Sequence, residues 1–446
     1  MWNEEDVINQ INNKDFRELK KTLSNKNAAD IAEMMDELDI VEAVIVFRLL
    51  NKEAAVDVFS MFSEKKQQEF LGHLTADELD YILDKMYFDD LIDLLDDVPA
   101  ELVKTLIERT DHEKRSLINQ FLNYPEDSAG SLMTIEFISL KKDMLVKDAL
   151  AHIKAQAMEK KTIYTLYITS YHEKFIGVVS LRDLFSAPED VPVSQVMNTD
   201  IVSVNVQEDQ EQVAQDFQKY DLIALPVVDT KNRMVGIITV DDILDVIQEE
   251  NTEDFQLMAA MGSSEKGYME SSVFSLFKNR IGWLLILMVS ATFTGGIINR
   301  FESTLQSITA LNMFIPMLMD TGGNSGNQSS TLVTRGLATG DITTKDFLKV
   351  MLKEFSVSLI VGAVLAVVSF VKLMTVEKVG VTISFVVSIT LVFTVMMAKI
   401  IGGMLPIIAE KLKLDPAVMS GPLITTLVDA LSLFIYFTIA NTMLGL

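Results

Sequence analysis

Two short stretches place polar chemistry inside otherwise apolar sequence. Residues 319–330 read MDTGGNSGNQSS, and residues 427–432 read LVDALS. The first lies among Pro316, Asp320, Gly322, Gly323, Asn324, Gly326, Asn327 and Gln328; the second follows Pro422, Thr425 and Thr426 and carries Asp429. Lipid cannot satisfy broken backbone or amide groups, so irregular polar sequence at membrane depth belongs where it faces protein or a water-filled path. An ionisable residue there marks a functional site by default. Glycines also serve plain helix packing, because they let two helices approach closely. Packing explains Asp429 less well, since its own segment holds no base and Lys399 is the embedded base elsewhere.

Desolvation favours the neutral form of an isolated carboxyl, whereas a passing cation keeps it ionised. If the chain pairs with a second copy about a central axis, two Asp429 side chains bring two negative charges to one divalent ion. Mg²⁺ sheds water reluctantly and is held through retained waters with few direct carboxylates. A polar ring of Asp429, Thr425 and the amides of Asn324 or Asn327 suits such a hydrated ion. The glycines, Gly323 among them, provide the width.

These residues need membrane helices to carry them. Apolar runs such as WLLILMVSATFTGGII and VTISFVVSITLVFTVMMA approach the roughly 20 residues that cross a bilayer core of about 30 Å. Five spans are expected, at about 279–301, 305–336, 352–372, 380–408 and 416–445. With the N-terminal part inside, Lys278, Arg280, Arg335, Lys345, Lys349, Lys353, Lys411 and Lys413 flank the cytoplasmic ends, against Arg300, Lys372 and Lys378 outside. That imbalance predicts a cytoplasmic N terminus and an external C terminus in a multi-pass cell-membrane protein. Nothing at the N terminus has the pattern of a signal peptide.

The charge divides at the same place. Residues 1–275 carry 26 Lys and Arg against 54 Asp and Glu, a net of −28, while residues 276–446 carry 12 against 9, a net of +3. So acidic a part repels nucleic acid. There is no cysteine, which excludes thiolate chemistry and disulfides. The four histidines, His73, His112, His152 and His172, match no zinc spacing.

Residues 1–129 read as an acidic all-helical domain whose apolar pieces restart every 11 to 13 residues, a superhelical pattern. Residues 130–190 and 191–248 are two copies of a β-α-β-β-α unit: SLMTIEFISL repeats as QVMNTDIVSV, and FIGVVSLRDLF as MVGIITVDDIL. The unit resembles a cystathionine-β-synthase (CBS) domain, and the resemblance implies an adenine-nucleotide site, ATP or another, with Asp183 and Asp242 at the ribose-contacting positions. Residues 249–275 read as a linking helix, acidic and broken near Gly262, and residues 276–446 as the five-helix membrane domain.

The order of acidic helices, YPEDSAGSLM, CBS pair, linking helix and five spans, together with MLMDTGGNSGNQSS, LDPA and GPLITTLVD, resembles the MgtE family of magnesium channels. The resemblance implies a homodimeric Mg²⁺ pathway, with Asp429 holding the hydrated ion and Asn327 and Gly323 nearby, and opening set by cytoplasmic Mg²⁺. Carboxylates crowded at a shared interface repel unless cations neutralise them; two about 4 Å apart cost about 4 kcal/mol near a protein surface. The expected regulatory residues are Asp242, Asp245, Glu249, Glu250, Glu253 and Asp254 on the linking helix, Asp89, Asp90 and Asp93 in the helical domain, Asp221 in the second CBS copy and Asp415 before the last span. Two rival readings are an intramembrane aspartic hydrolase, using the DTG triplet at Asp320 with Asp429, and a membrane-anchored nucleotide sensor. The expected function is not enzymatic.

Overall fold

The computed structural model describes residues 4–264, 267–269, 271–419 and 421–445. The chain divides into two compact units, Met1–Val246 and Ile247–Leu446.

The first unit opens with ten short helices among the described residues, from Glu4–Asn12 to His112–Phe121. Many are started by a polar side chain that accepts from the first free backbone N–H groups, as Asp15, Asp39, Asn51, Ser63, Thr75 and Asp111 do. Helices two apart in sequence pack on one another. Ala28–Glu37, Lys52–Ser60 and Ala76–Lys85 form one row, and Phe16–Leu23, Ile40–Leu49, Glu64–Leu71 and Phe88–Asp97 form the other. Buried aromatics fill the space between rows, Phe62 and Phe70 with ring centroids 4.8 Å apart. This is the expected superhelix, and it places Phe88–Asp97 near its end.

Two three-stranded sheets follow. In each, the first strand runs parallel to the second and the second antiparallel to the third: Ser139–Lys141, Thr165–Thr169 and Phe175–Ser180, then Val204–Asn205, Ala224–Val228 and Met234–Thr239. The copies interlock. A Cβ on Gly236 would lie 2.8 Å from the Thr134 carbonyl oxygen, and one on Gly177 2.8 Å from that of Asn198. Each third strand therefore keeps a glycine where the lead-in segment of the other copy crosses it.

The last CBS helix and the linking helix are one element, Val240–Met258. Ala260, at φ 52°, follows its end, ahead of Gly262. The expected linker to residue 275 is thus helical over its first part only, and its residues 265, 266 and 270 lie outside the described residues.

The second unit contains the helices Val273–Arg300, Ile315–Ala338, Phe347–Lys372, Val381–Lys411 and Pro422–Leu444. Four segments, Val273–Arg300, Thr344–Glu377, Val381–Lys411 and Pro416–Leu444, are long and apolar enough to cross a membrane; residue 420 of the last lies outside the described residues. The glycine-rich helix Ile315–Ala338 is the exception. It is shorter than the expected span 305–336 at its start, where Glu302–Ser307 and a 3₁₀ turn over Thr309–Phe314 intervene. It is also too polar for lipid, yet Gly322, Gly323, Ser325, Gly326, Ser329 and Ser330 are buried by neighbouring helices. Protein, not hydrocarbon, covers its face of glycines and serines. By contrast, Val273–Arg300 buries no residue.

Candidate functional site

The glycine-rich helix and the final helix Pro422–Leu444 meet along the polar residues singled out from the sequence. Asn327 Nδ2 donates to Thr425 Oγ1 at 3.2 Å, and Thr425 Oγ1 donates in turn to the Gly421 carbonyl, also at 3.2 Å. Their closeness depends on Gly323, where a Cβ would lie 3.0 Å from Thr425 Cγ2. One residue earlier, a Cβ on Gly322 would meet Thr394 Cγ2 and Val428 Cγ1, both at 2.9 Å. Behind them Gly326 packs on the fourth helix so tightly that a Cβ on Gly402 would fall 2.2 Å from the Gly326 carbonyl oxygen. Such approach is what small residues give membrane helices.

Two acceptors that cannot donate, Asp429 Oδ1 and Asn327 Oδ1, stand buried here with no hydrogen-bond partner among the described residues, as do the hydroxyls of Thr394 and Ser432. A buried, unsatisfied acceptor costs about 1–3 kcal/mol. Both fit a site whose ligand brings donors. Asn324, also expected at the site, is exposed on the helix, as is Asp320. Residues 320 and 324 are one turn apart on one face, while 323 and 327 share another, so the helix period separates them.

Sequence reading overlooked one embedded charge, Glu354, and named Lys399 without its partner. Ser329 Oγ donates to Glu354 Oε2 at 2.6 Å, joining the glycine-rich helix to Phe347–Lys372. Lys399 is 4% exposed and donates to Gln328 Oε1 at 3.4 Å. It is therefore engaged with an amide on the glycine-rich helix. A charge at a position flanked by small residues, as Lys399 is by Ala398 and Gly402, is the signal that marks such a contact.

The expected regulatory carboxylates fall into two groups, one in each unit. In the first, Asp89, Asp90 and Asp242 surround a lysine that sequence reading did not single out. Lys161 Nζ lies 2.8 Å from Asp89 Oδ2, 3.7 Å from Asp242 Oδ1 and 3.9 Å from Asp241 Oδ2. Asp89 is buried, and its other oxygen, Oδ1, has no hydrogen-bond partner among the described residues. Burial first, then the charge of Asp89, pushes Asp90 up to about 6. Burial likewise pushes Asp242 up to about 6, against the pull of Lys161. Asp93 is raised in the same direction by its dense surroundings and by Asp89 and Asp90. Its side chain is open to water on one side, so solvent screening makes that rise smaller than the packing alone would give. Burial opposes the charge on Lys161, but Asp89, Asp242 and Asp90 outweigh it and push its pKa up.

In the second unit Asp254 is pushed up to about 6, by burial and then by Asp415, while Arg335 opposes the shift. Arg335 also donates from Nη1 to Asn251 Oδ1 at 3.0 Å. Asp415 accepts from the Ala417 N–H at 2.7 Å. Met258, the last residue of the linking helix, points its carbonyl at Gly421, where a Cβ would lie 2.2 Å away and φ is +52°. Asp245, Glu249 and Glu253 are exposed on the same helix, Glu250 is half-buried, and Asp221 is an exposed left-handed residue closing Gln210–Tyr220. Among the described residues no three carboxylates or histidines converge as a ready-made metal-ligand set.

The two nucleotide candidates share one local motif. Ser180 Oγ donates to Asp183 Oδ2 and Thr239 Oγ1 to Asp242 Oδ2, both at 2.6 Å. Asp183 is exposed. Asp242 already faces Lys161.

Comparison with known proteins decides the family. The chain is 38% identical to the magnesium transporter MgtE of Thermus thermophilus over 434 residues, covering 96% of each chain. It is 32% identical to the magnesium transporter MgtE of Bacillus subtilis over 430 residues, covering 96% of this chain and 94% of that one.

The chain belongs to the MgtE family.

The MgtE family model, described as a divalent cation transporter, matches residues 315–439, which hold the glycine-rich helix and Asp429. The MgtE intracellular N domain matches 26–127, and CBS domains match 129–190 and 193–249. A crystal structure of the cytosolic domain of the Mg²⁺ channel MgtE in complex with ATP superposes with a TM-score of 0.52 at 35% identity, covering 55% of this chain and 99% of that one. MgtE relatives are named as transporters, which leaves the hydrolase and sensor readings without support.

Proposed function

We propose that this chain carries Mg²⁺ across the cell membrane through a pathway lined by Asp429, Asn327 and Thr425. Supporting this are its membership of the MgtE family and the relatives named as magnesium transporters. The observation that carries the reading is the pair of buried acceptors without donors, Asp429 Oδ1 and Asn327 Oδ1, on helices pinned together by the Asn327–Thr425 bond. Mg²⁺ keeps its water, and water in its shell donates outward. The protein works as a homodimer, in which two Asp429 side chains face one ion, with a cytoplasmic N terminus and an external C terminus.

Opening is set by cytoplasmic Mg²⁺. In the first unit Asp89, Asp90, Asp93 and Asp242 take the ion, and in the second Asp254 and Asp415 do, with Glu250 and Glu253 near them on the chain. Asp221, Asp245 and Glu249 are surface residues of the same acidic field. Moving a gate from 1:99 to 99:1 needs about 5.5 kcal/mol of differential binding, which several weak sites share. The CBS pair takes an adenine nucleotide, as the relative's ATP complex suggests, with Asp183 as the exposed ribose partner.

Mg²⁺ uptake into liposomes tests the pathway. The intact chain transports, Asp429→Ala does not, and a version lacking residues 1–240 transports without inhibition by millimolar Mg²⁺ on the cytoplasmic side. Uptake by Asp429→Ala equal to that of the intact chain would sink the proposal.

A further inference from the structure

Lys161 occupies the place that a regulatory cation would take. Its ammonium contacts Asp89 of the helical domain at 2.8 Å, and Asp242 and Asp241 of the second CBS copy at 3.7 and 3.9 Å. The Lys161 side chain is 12% exposed and that of Asp89 5%, so this is not a surface ion pair of negligible worth. Tyr87 closes one side, its ring centroid 5.2 Å from Nζ. Yet the lysine leaves the cluster only partly compensated: Asp89 Oδ1 stays buried with no partner among the described residues. One fixed positive charge faces the carboxylates of Asp89, Asp90, Asp241 and Asp242.

From this geometry we infer that Lys161 is a built-in cation that partly docks the helical domain on the CBS pair, and thereby sets how much Mg²⁺ the closure requires. The inference rests on the regulatory reading of these carboxylates. A lysine brings its charge at no cost in ion concentration, so docking begins before Mg²⁺ arrives. It also occupies Asp89 Oδ2, so fewer divalent ions complete the closure, and its dependence on Mg²⁺ is shallower than that of an all-carboxylate interface. Lys161 is a positioning residue; the pathway through Asp429 is untouched by it.

Hydrogen exchange of the full-length protein in detergent, followed at helix Phe88–Asp97 across micromolar to millimolar Mg²⁺, tests the inference. Lys161→Met keeps the apolar stem without the charged nitrogen. It should lose protection at micromolar Mg²⁺, regain the wild-type level at millimolar Mg²⁺, and show a steeper dependence equivalent to about one further ion per chain. Lys161→Arg should retain the wild-type curve, and Asp89→Asn combined with Lys161→Met should regain protection at low Mg²⁺. Lys161→Met indistinguishable from wild type would overturn the inference, as would a loss that millimolar Mg²⁺ does not repair, which marks a structural peg. A wild-type curve flat in Mg²⁺ would instead overturn the regulatory reading; if Lys161→Met then became Mg²⁺-dependent, the lysine would stand as a complete substitute for the ion.

Discussion

The side-chain amide of Asn327 donates to the hydroxyl of Thr425 at 3.2 Å, tying the glycine-rich helix to the final helix beside Asp429. Thr425→Val keeps the shape but removes the acceptor, leaving a buried amide donor unpaired at about 1–3 kcal/mol. We expect Mg²⁺ uptake to fall about tenfold or more, with Thr425→Ser restoring most of it. Equal uptake by the valine and serine variants would show that this bond does not position Asn327.

Gly402 tests the packing behind the pathway. A Cβ there would fall 2.2 Å from the Gly326 carbonyl oxygen, and backbone has little room to give. Overpacking of this kind costs about 1–3 kcal/mol. Thermal unfolding in detergent should show Gly402→Ala clearly less stable, whereas Gly282→Ala, with open space around it, should match the parent. A silent Gly402→Ala would mean that the two helices separate easily.

The acidic cluster of the first unit sets a pH trend. Asp90 and Asp242 are pushed up to about 6 in the folded protein, above the ordinary carboxylate range near 3.9. Between those values the folded state holds protons that the unfolded chain has released, so stability falls as pH rises through this window. Asp89, Asp93 and Asp241 add to the repulsion, and the raised Lys161 stays charged throughout. After correction for the intrinsic base-catalysed exchange rate at each pH, protection of helix Phe88–Asp97 should therefore be higher at pH 5 than at pH 8 without divalent ions, and millimolar Mg²⁺ should remove most of the difference. The reverse pH order would contradict it.

Glu354 offers a separate check within the membrane domain. Its carboxylate accepts from Ser329 Oγ at 2.6 Å, a charge-assisted bond stronger than a neutral one. Glu354→Gln can still accept and should lose little thermal stability; Glu354→Ala leaves the Ser329 hydroxyl only the long 3.4 Å contact to the Ser325 carbonyl and should lose about 1 kcal/mol. Identical melting of the two variants would assign the bond no role in holding these helices together.

The sequence made the periodic and repeated features legible. Superhelical rows follow from helices that restart at short intervals, and the CBS pair from two strands recurring with the same flanks. The polar stretch pointed to the right pair of helices, because glycines and a lone carboxylate in apolar sequence have few other uses. Helix phase was not legible: Asn324 and Asn327 look equivalent in the string MDTGGNSGNQSS, yet one is exposed and the other bonded to Thr425. Nor was Lys161, one of two adjacent lysines in EKKTIYTL. Its meaning depends on a carboxylate 72 residues earlier, and only folding sets that partner beside it.

The contact of Gly326 with Gly402 gives the membrane domain a fulcrum. Where backbone touches backbone, axial sliding would drive a neighbouring side chain into the space that only a missing one leaves free. Rocking about the crossing point is the motion left at low cost. A small tilt at the end near Arg335 would then swing the opposite arm of the glycine-rich helix, which begins at Ile315, like the far end of a seesaw.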